Sequence, residues 1–245
     1  MVRSNEIFFG KSLEQKINNW GKFLGIKFPK EENMKQYNIN TCDYWEEKWQ
    51  NQSNNGWIKN KIWYRLLSLF FPRYIITTKP KRKYYLGVAK LIEGKFCDLG
   101  CGIGVTGGLY SILTGNNCFG MDYSLEGLKI AKKEAKRFGS HCDYFVGNIY
   151  HIGIKSNYFD TVYIGQVLEH LEDNNAALSE AMRILRQGGK LIISVPSEHA
   201  PDNLEHINSY YPEKIKKMLL ECGCINISFH DIDEKRYVVS AMKNK

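Results

Sequence analysis

The sequence predicts an α/β fold, a doubly wound, mostly parallel seven-stranded sheet with an antiparallel last strand, preceded by a helical extension. Three observations predict it. From Lys95 onward, short apolar runs alternate with stretches of helical periodicity, the pattern of a parallel sheet covered on both faces. The first of those runs ends in a glycine-rich turn, Asp98-Leu99-Gly100-Cys101-Gly102-Ile103-Gly104, that opens a helix. The last two runs are joined by only a short polar turn at 231–235, so they pair antiparallel.

In chain order, Ile17, Trp20, Phe23 and Leu24 are spaced as on a helix, with Gly21 and Gly25 weakening the pattern. Asp43 is placed to cap a short helix through Trp49. Residues 57–71 form a second helical stretch, ended by Pro72. Thr78-Lys79-Pro80 starts a helix to about Ile92. The sheet region then reads as a strand at 96–99, a helix at 105–113, a strand at 118–122 and a helix opened by Ser124 to Phe138. Strands follow at 144–146 and 159–164. A helix at 174–185 is stopped by Gly188-Gly189, and a strand at 190–195 is ended by Pro196. A helix from Pro212 to about Cys222 and strands at 225–230 and 237–241 complete the chain.

Composition narrows the function classes. The 245 residues are 43% hydrophobic and 24% charged, which excludes disorder throughout. No apolar run reaches the roughly 18 residues of a membrane span. The most apolar stretch, Ile62 to Phe71, is broken by Arg65. The first residues lack an export leader's apolar core. The seven cysteines form no Cys-x-x-Cys pair, so reduced thiols and a cytoplasmic location are expected.

The net charge of +8 is unevenly spread. Residues 1–93 hold 17 basic and 8 acidic side chains, and residues 94–245 hold 17 and 18. Between Lys59 and Lys90 there are nine basic residues and no acidic one, interleaved with aromatics such as Trp63, Phe70 and Tyr84. Three readings of 57–90 stay open, in descending weight. They are a lid of helices, an interfacial helix on an anionic membrane surface, and a nucleic-acid surface.

The glycine turn lies where a doubly wound sheet binds a nucleotide-like ligand. Asp98 stands two residues before its first glycine. Asp122 ends the next strand about two dozen residues on, where a carboxylate can accept from a ribose diol. Asn148 follows the third strand, with an amide oxygen able to accept from an adenine amino group.

On these motifs the chain resembles the class I S-adenosylmethionine-dependent methyltransferases over roughly residues 84–242. The group acting on quinone precursors and sugars is the nearest in kind. Phe96–Gly104, Gly120–Ser124, Gly147–Ile149, Phe159–Tyr163 and Leu185–Leu191 carry the resemblance. It implies a Rossmann-like methyltransferase domain at 84–245 after a basic extension or lid at 1–83. It implies S-adenosylmethionine as cofactor, with Asp98 and Gly100 at its methionine end and Gly102 among the residues that bind it. Asp122 would hold the ribose, Asn148 and Ile149 the adenine, and Tyr123 and Gln166 would also bind the cofactor. Many relatives have Asp where this chain has Asn148. A dinucleotide reading fits less well, because the acidic residue ahead of the glycines suits an ammonium group rather than a pyrophosphate.

The end of the fourth strand faces the methyl group in this family, and here it reads Gly165-Gln166-Val167-Leu168-Glu169-His170-Leu171. His170 is the candidate base, since a neutral imidazole titrates near working pH. A brace for the loop is the equal alternative, and Glu169 reads as a structural partner. Glu169 and His170, with His199 or His206, resemble part of the metal set of RNA 3′-end 2′-O-methyltransferases. That set has a Glu where Gln166 stands, so no metal is expected. His206, Tyr210 and Tyr211 resemble a His-x-x-x-Tyr segment that helps to cover the acceptor. A polar loop with one buried Tyr is the other reading. The resemblance thus implies methyl transfer, to oxygen before nitrogen or carbon, of a small-molecule or lipid-like acceptor. An RNA methyltransferase and a non-catalytic S-adenosylmethionine-binding regulator are the alternatives. Peripheral membrane contact stays open, and the sequence does not give an oligomeric state.

Overall fold

The computed structural model describes residues 42–54, 79–198 and 205–244. Its elements are α1 (Cys42–Asn54), α2 (Lys79–Ala89), β1 (Phe96–Leu99), α3 (Val105–Thr114), β2 (Cys118–Asp122), α4 (Leu125–Phe138), β3 (Cys142–Val146), β4 (Phe159–Gly165), a 3₁₀ turn (Leu168–His170), α5 (Asn174–Ile184), β5 (Leu185–Pro196), α6 (Pro212–Glu221), β6 (Cys224–His230) and β7 (Arg236–Lys243).

The seven strands form one sheet in the order β3-β2-β1-β4-β5-β7-β6. All neighbours among β1 to β5 pair in parallel, and β7 runs antiparallel to both β5 and β6. The chain builds outward from β1 through β2 to β3, then returns to β4 on β1's other side. The carboxyl ends of β1 and β4 therefore flank the switch point where such sheets bind ligands.

Local chemistry sets the element ends. Ser124 caps α4 by accepting from the Gly127 amide at 3.0 Å, and Lys136 and Arg137 in its last turn suit the negative end of the helix dipole. Asp173 caps α5 through the Ala176 amide at 2.9 Å. Pro212 opens α6, where its missing N–H costs nothing.

The sheet's two faces carry two cores. One packs Val162, Ile164, Leu191 and Ile193 under Leu178 of α5 and Leu219 of α6. The other packs Tyr163 and Ile192 under Tyr84 and Val88 of α2 and Tyr110 of α3. Successive strand residues point to opposite faces, so Val162, Tyr163 and Ile164 divide between them. The second face contains a polar relay. Tyr84 Oη lies 2.9 Å from Tyr163 Oη and donates to Ser194 Oγ at 3.0 Å.

Three boundaries differ from the expected ones. β3 begins at Cys142 rather than 144, paired to Cys118 of β2. The glycine pair does not stop α5. The helix ends at Ile184 and β5 starts at once, running through Gly188 (φ +65°) and Gly189, with its pairing to β4 irregular between Phe159 and Thr161. A glycine pair is as compatible with a bulged strand as with a helix end. The 83/84 boundary falls inside α2, whose Tyr84 and Val88 are core residues, and one compact unit runs Ile39–Lys245. The helix expected at 57–71, and most of the basic segment, lie outside the described residues. The part described as α2 packs Tyr84 and Val88 into the sheet's second core and leaves Arg82 and Lys83 exposed.

Candidate active site

A cavity of about 320 Å³ opens at the switch point. Its floor is the glycine turn. Gly100 has φ +73°, and a Cβ there would come within 2.4 Å of Val167 Cγ2, so only glycine fits between turn and loop. Gly102, Ile103 and Thr106 continue this wall. Asp122 forms the next side. Its Oδ2 accepts from the Gly102 amide at 2.8 Å and its Oδ1 from the Ser124 amide at 2.9 Å. This ties the end of β2 to the glycine turn and aims a carboxylate at the cavity. Burial raises the Asp122 pKa, and the Ser124 and Gly102 amides oppose the rise.

Gln166 lies at the end of β4 in the left-handed region (φ +58°), rare for a residue with a Cβ. Its backbone N–H and its Nε2 both donate to the Ser194 carbonyl, at 2.8 and 3.1 Å. That double bond to β5 holds the loop so that Val167, His170 and Leu171 form the far wall.

The roof comes from α1. Trp45 and Trp49 line the cavity, and the Trp49 ring lies 3.3 Å from where a Gly102 Cβ would stand. Glu46, one turn between them, accepts from the amides of Leu125 (2.6 Å) and Glu126 (3.2 Å) and from Ser124 Oγ (3.2 Å). Residues 57–78, most of the segment read as a lid, lie outside the described residues, and among the described ones α1 lines the roof.

Around His170 several elements converge. Its ring meets Trp45 edge to face at 5.3 Å and His206 at 5.1 Å. Its Nδ1 lies 2.8 Å from the Glu205 carbonyl oxygen. The Glu205 carboxylate accepts from Tyr44 Oη at 2.5 Å and from Lys48 Nζ at 2.7 and 2.9 Å. Burial would raise this carboxyl, but the Lys48 and Tyr44 bonds outweigh it and hold it below its ordinary value. Burial lowers His170 and His206 below the usual imidazole range. Glu169 beside them is fully buried, and burial pushes it up to about 8.

The structure thus brings together Gly100, Gly102, Asp122, Tyr123, Ile149, Gln166 and His170 on one cavity, with His206 against His170. It places four other expected site residues elsewhere. Asp98 is sealed behind the glycine turn, 2% exposed, facing Gly107 of α3; burial pushes it up to about 7. Asn148 is exposed, and its amide oxygen, the atom expected at the adenine, accepts from the Tyr150 amide at 2.9 Å. Tyr210 is a core residue whose hydroxyl accepts from Asn174 Nδ2 at 2.9 Å. Tyr211 is 54% exposed at the start of α6. Each of Glu169, His170 and His206 brings one donor atom within 4.8 Å of the others. At the position where the resembled metal set has a carboxylate, the Gln166 amide donates to Ser194, so the set is one hard ligand short. His199 lies outside the described residues.

A family model described as a methyltransferase domain matches residues 97–193, from β1 through most of β5. An uncharacterized protein of Methanocaldococcus jannaschii is 34% identical over 113 residues, 46% of this chain and 45% of that one. The ubiquinone biosynthesis O-methyltransferase of Xanthomonas euvesicatoria is 29% identical over 117 residues, 47% and 48% of the two chains. The solved Haemonchus contortus phosphoethanolamine N-methyltransferase 2, in complex with S-adenosyl-L-methionine, superposes with a TM-score of 0.57 at 17% identity. That match covers 66% of this chain and 52% of the other, and it shows the shared fold. The matches cover between 29% and 48% of the lengths of these and other curated relatives. The matched stretch holds the glycine turn, Asp122, Gln166 and His170. The α1 roof and the Glu205-His206 segment lie outside it.

Proposed function

We propose that the protein transfers the methyl group of S-adenosylmethionine to a nucleophilic oxygen of a small or lipid-like acceptor. The observation that carries this is the two-sided cavity. One side is the glycine cradle and the Asp122 carboxylate, and the other is His170 under an aromatic roof. The cradle fits the cosubstrate. A Cβ at Gly100 would strike the Val167 wall of the cavity, and the Asp122 carboxylate, bound by backbone amides of Gly102, Tyr123 and Ser124, keeps lone-pair capacity toward a diol. Gly102, Asp122 and Tyr123 would hold it, and it would supply a methyl group already activated on a sulfonium.

The protein's remaining work is positioning and proton removal. Trp45 and Trp49 exclude water and give the acceptor an apolar, π-rich surface. His170, neutral near pH 7 because burial lowers its pKa, takes the proton from an acceptor hydroxyl. The similar proteins include O-, N- and C-methyltransferases, so the choice of oxygen rests on His170 as a base for a hydroxyl proton. The test is calorimetry with S-adenosylmethionine and S-adenosylhomocysteine, followed by radiolabelled methyl transfer to a panel of phenolic, quinol, amine and lipid acceptors. Binding with transfer to hydroxyl acceptors is expected. Transfer only to amines overturns the oxygen assignment, binding without transfer to any acceptor favours a regulator, and no binding overturns the reading.

A further inference from the structure

We propose that Glu205 is a positioning residue for His170. Its main-chain carbonyl fixes the imidazole proton on Nδ1, leaving the Nε2 lone pair for the acceptor, and its side chain makes this arrangement depend on the seating of α1. The proposal rests on the methyl-transfer reading only for what the lone pair is used for.

The first step is valence. A carbonyl oxygen only accepts, so at 2.8 Å from Glu205 O the Nδ1 atom is the donor. A neutral imidazole has one N–H, so Nε2 is then the base atom. The ring cannot easily turn to exchange the two nitrogens, because Trp45 and His206 both pack against it.

The second step is what holds the carbonyl. Glu205 belongs to the segment before α6, and its carboxylate is bound by Tyr44 and Lys48, 161 and 157 residues earlier in the chain. Lys48 also sits 4.2 Å over the Trp45 ring, so one cation holds both the Glu205 carboxylate and an aromatic that touches His170. Helix α1 thereby closes the cavity and sets the tautomer through the same few side chains. A free histidine side chain prefers the proton on Nε2, so an unseated α1 leaves His170 biased to the form that offers no lone pair at that atom. The charged and titratable groups facing the ring are Lys48 from α1, Glu205 and His206 from the segment before α6, and Glu169 from its own turn. Lys48 and His206 favour the neutral ring and Glu205 the charged one, with burial the larger effect.

The test uses the full chain with ¹⁵N-labelled histidine and long-range ¹H–¹⁵N spectra at pH 8. His170 is assigned among the six histidines by His170→Gln. The wild type is expected to show the Nδ1–H pattern. Lys48→Met combined with Tyr44→Phe is expected to move His170 toward Nε2–H and to lower kcat about 10- to 100-fold, as for a misplaced catalytic group. Lys48→Arg with Tyr44 intact is expected to restore both. A wild-type Nε2–H pattern, or a double variant that keeps both the Nδ1–H pattern and wild-type kcat, overturns the proposal. The spectra are read without any methyl acceptor, and calorimetry with S-adenosylmethionine on the same samples reports on the methyl-transfer reading separately.

Discussion

The Glu46 carboxylate accepts a 2.6 Å hydrogen bond from the amide of Leu125, 79 residues later. Leu125 is the first residue of α4, so a side chain from one helix caps the positive end of another. Ser124 is α4's own cap, and Glu46 adds to it from outside by satisfying amides that the helix cannot satisfy itself. The expected effect of Glu46→Ala is a loss of about 1 kcal/mol in α1 docking, the usual scale of a lost cap. Hydrogen exchange should show faster amide exchange across Cys42–Asn54, with β1 and β4 unchanged.

Asp122 joins the glycine turn to the start of α4 through two backbone amides. Asp122→Ala removes both bonds and the carboxylate facing the cavity. S-adenosylmethionine affinity is expected to fall at least about tenfold, since a hydrogen bond involving a charged group is worth roughly 1.5–3 kcal/mol. Asp122→Asn keeps one acceptor oxygen and should lose less. Calorimetry on both variants, with circular dichroism to confirm the fold, checks the order.

His170→Asn is expected to lower kcat by about 10²- to 10⁴-fold, the range for loss of general base catalysis, with S-adenosylmethionine affinity little changed. In the wild type, burial holds the imidazole below its ordinary pKa. The acidic limb of the kcat profile should therefore fall below about 6.5, the unperturbed histidine value. A rate profile from pH 5 to 9 measures it.

Glu169 predicts a pH effect on stability rather than on rate. Burial pushes its pKa up to about 8 from an ordinary value of 4.5. A raised carboxyl binds its proton more tightly in the folded state. Its contribution is therefore full below about pH 4.5 and is lost as pH rises through about 8. Glu169→Gln cannot ionise. Its stability advantage over wild type should grow by a few kcal/mol between pH 5 and 8, at about 1.4 kcal/mol per pKa unit as an upper scale. Urea denaturation at several pH values checks this, and a constant difference would contradict it.

The sheet and its ligand end were readable because their signals are local. A buried strand, a glycine turn and a carboxylate at the next strand end are each a few residues long, and all three recur in the structure where the pattern puts them. The start of β5 was not readable, because Gly188-Gly189 is ambiguous between a helix stop and a strand irregularity. Asn148 has the chemistry for an adenine contact, but its oxygen is taken by a backbone amide two residues on, the habit of asparagine in turns. The α1 roof was the largest omission. Tyr44, Trp45 and Trp49 stand out as aromatics at helical spacing, but nothing nearby in sequence indicates that Glu46 reaches Leu125 or that Lys48 reaches Glu205. Those contacts exist only once the sheet has brought distant segments together.

The roof also lies outside the matched domain. The stretch that matches the family model, residues 97–193, holds the glycine turn and Asp122, which are proposed to grip the donor. The parts that would recognise an acceptor, α1 and the segment at Glu205 and His206, fall outside that stretch. On the proposed function, the donor-side residues lie inside the matched domain and the acceptor-side residues outside it, so changes of acceptor are expected to map to α1 and to the segment before α6. Grafting residues 42–54 and 205–211 onto a related domain would carry the preference with them.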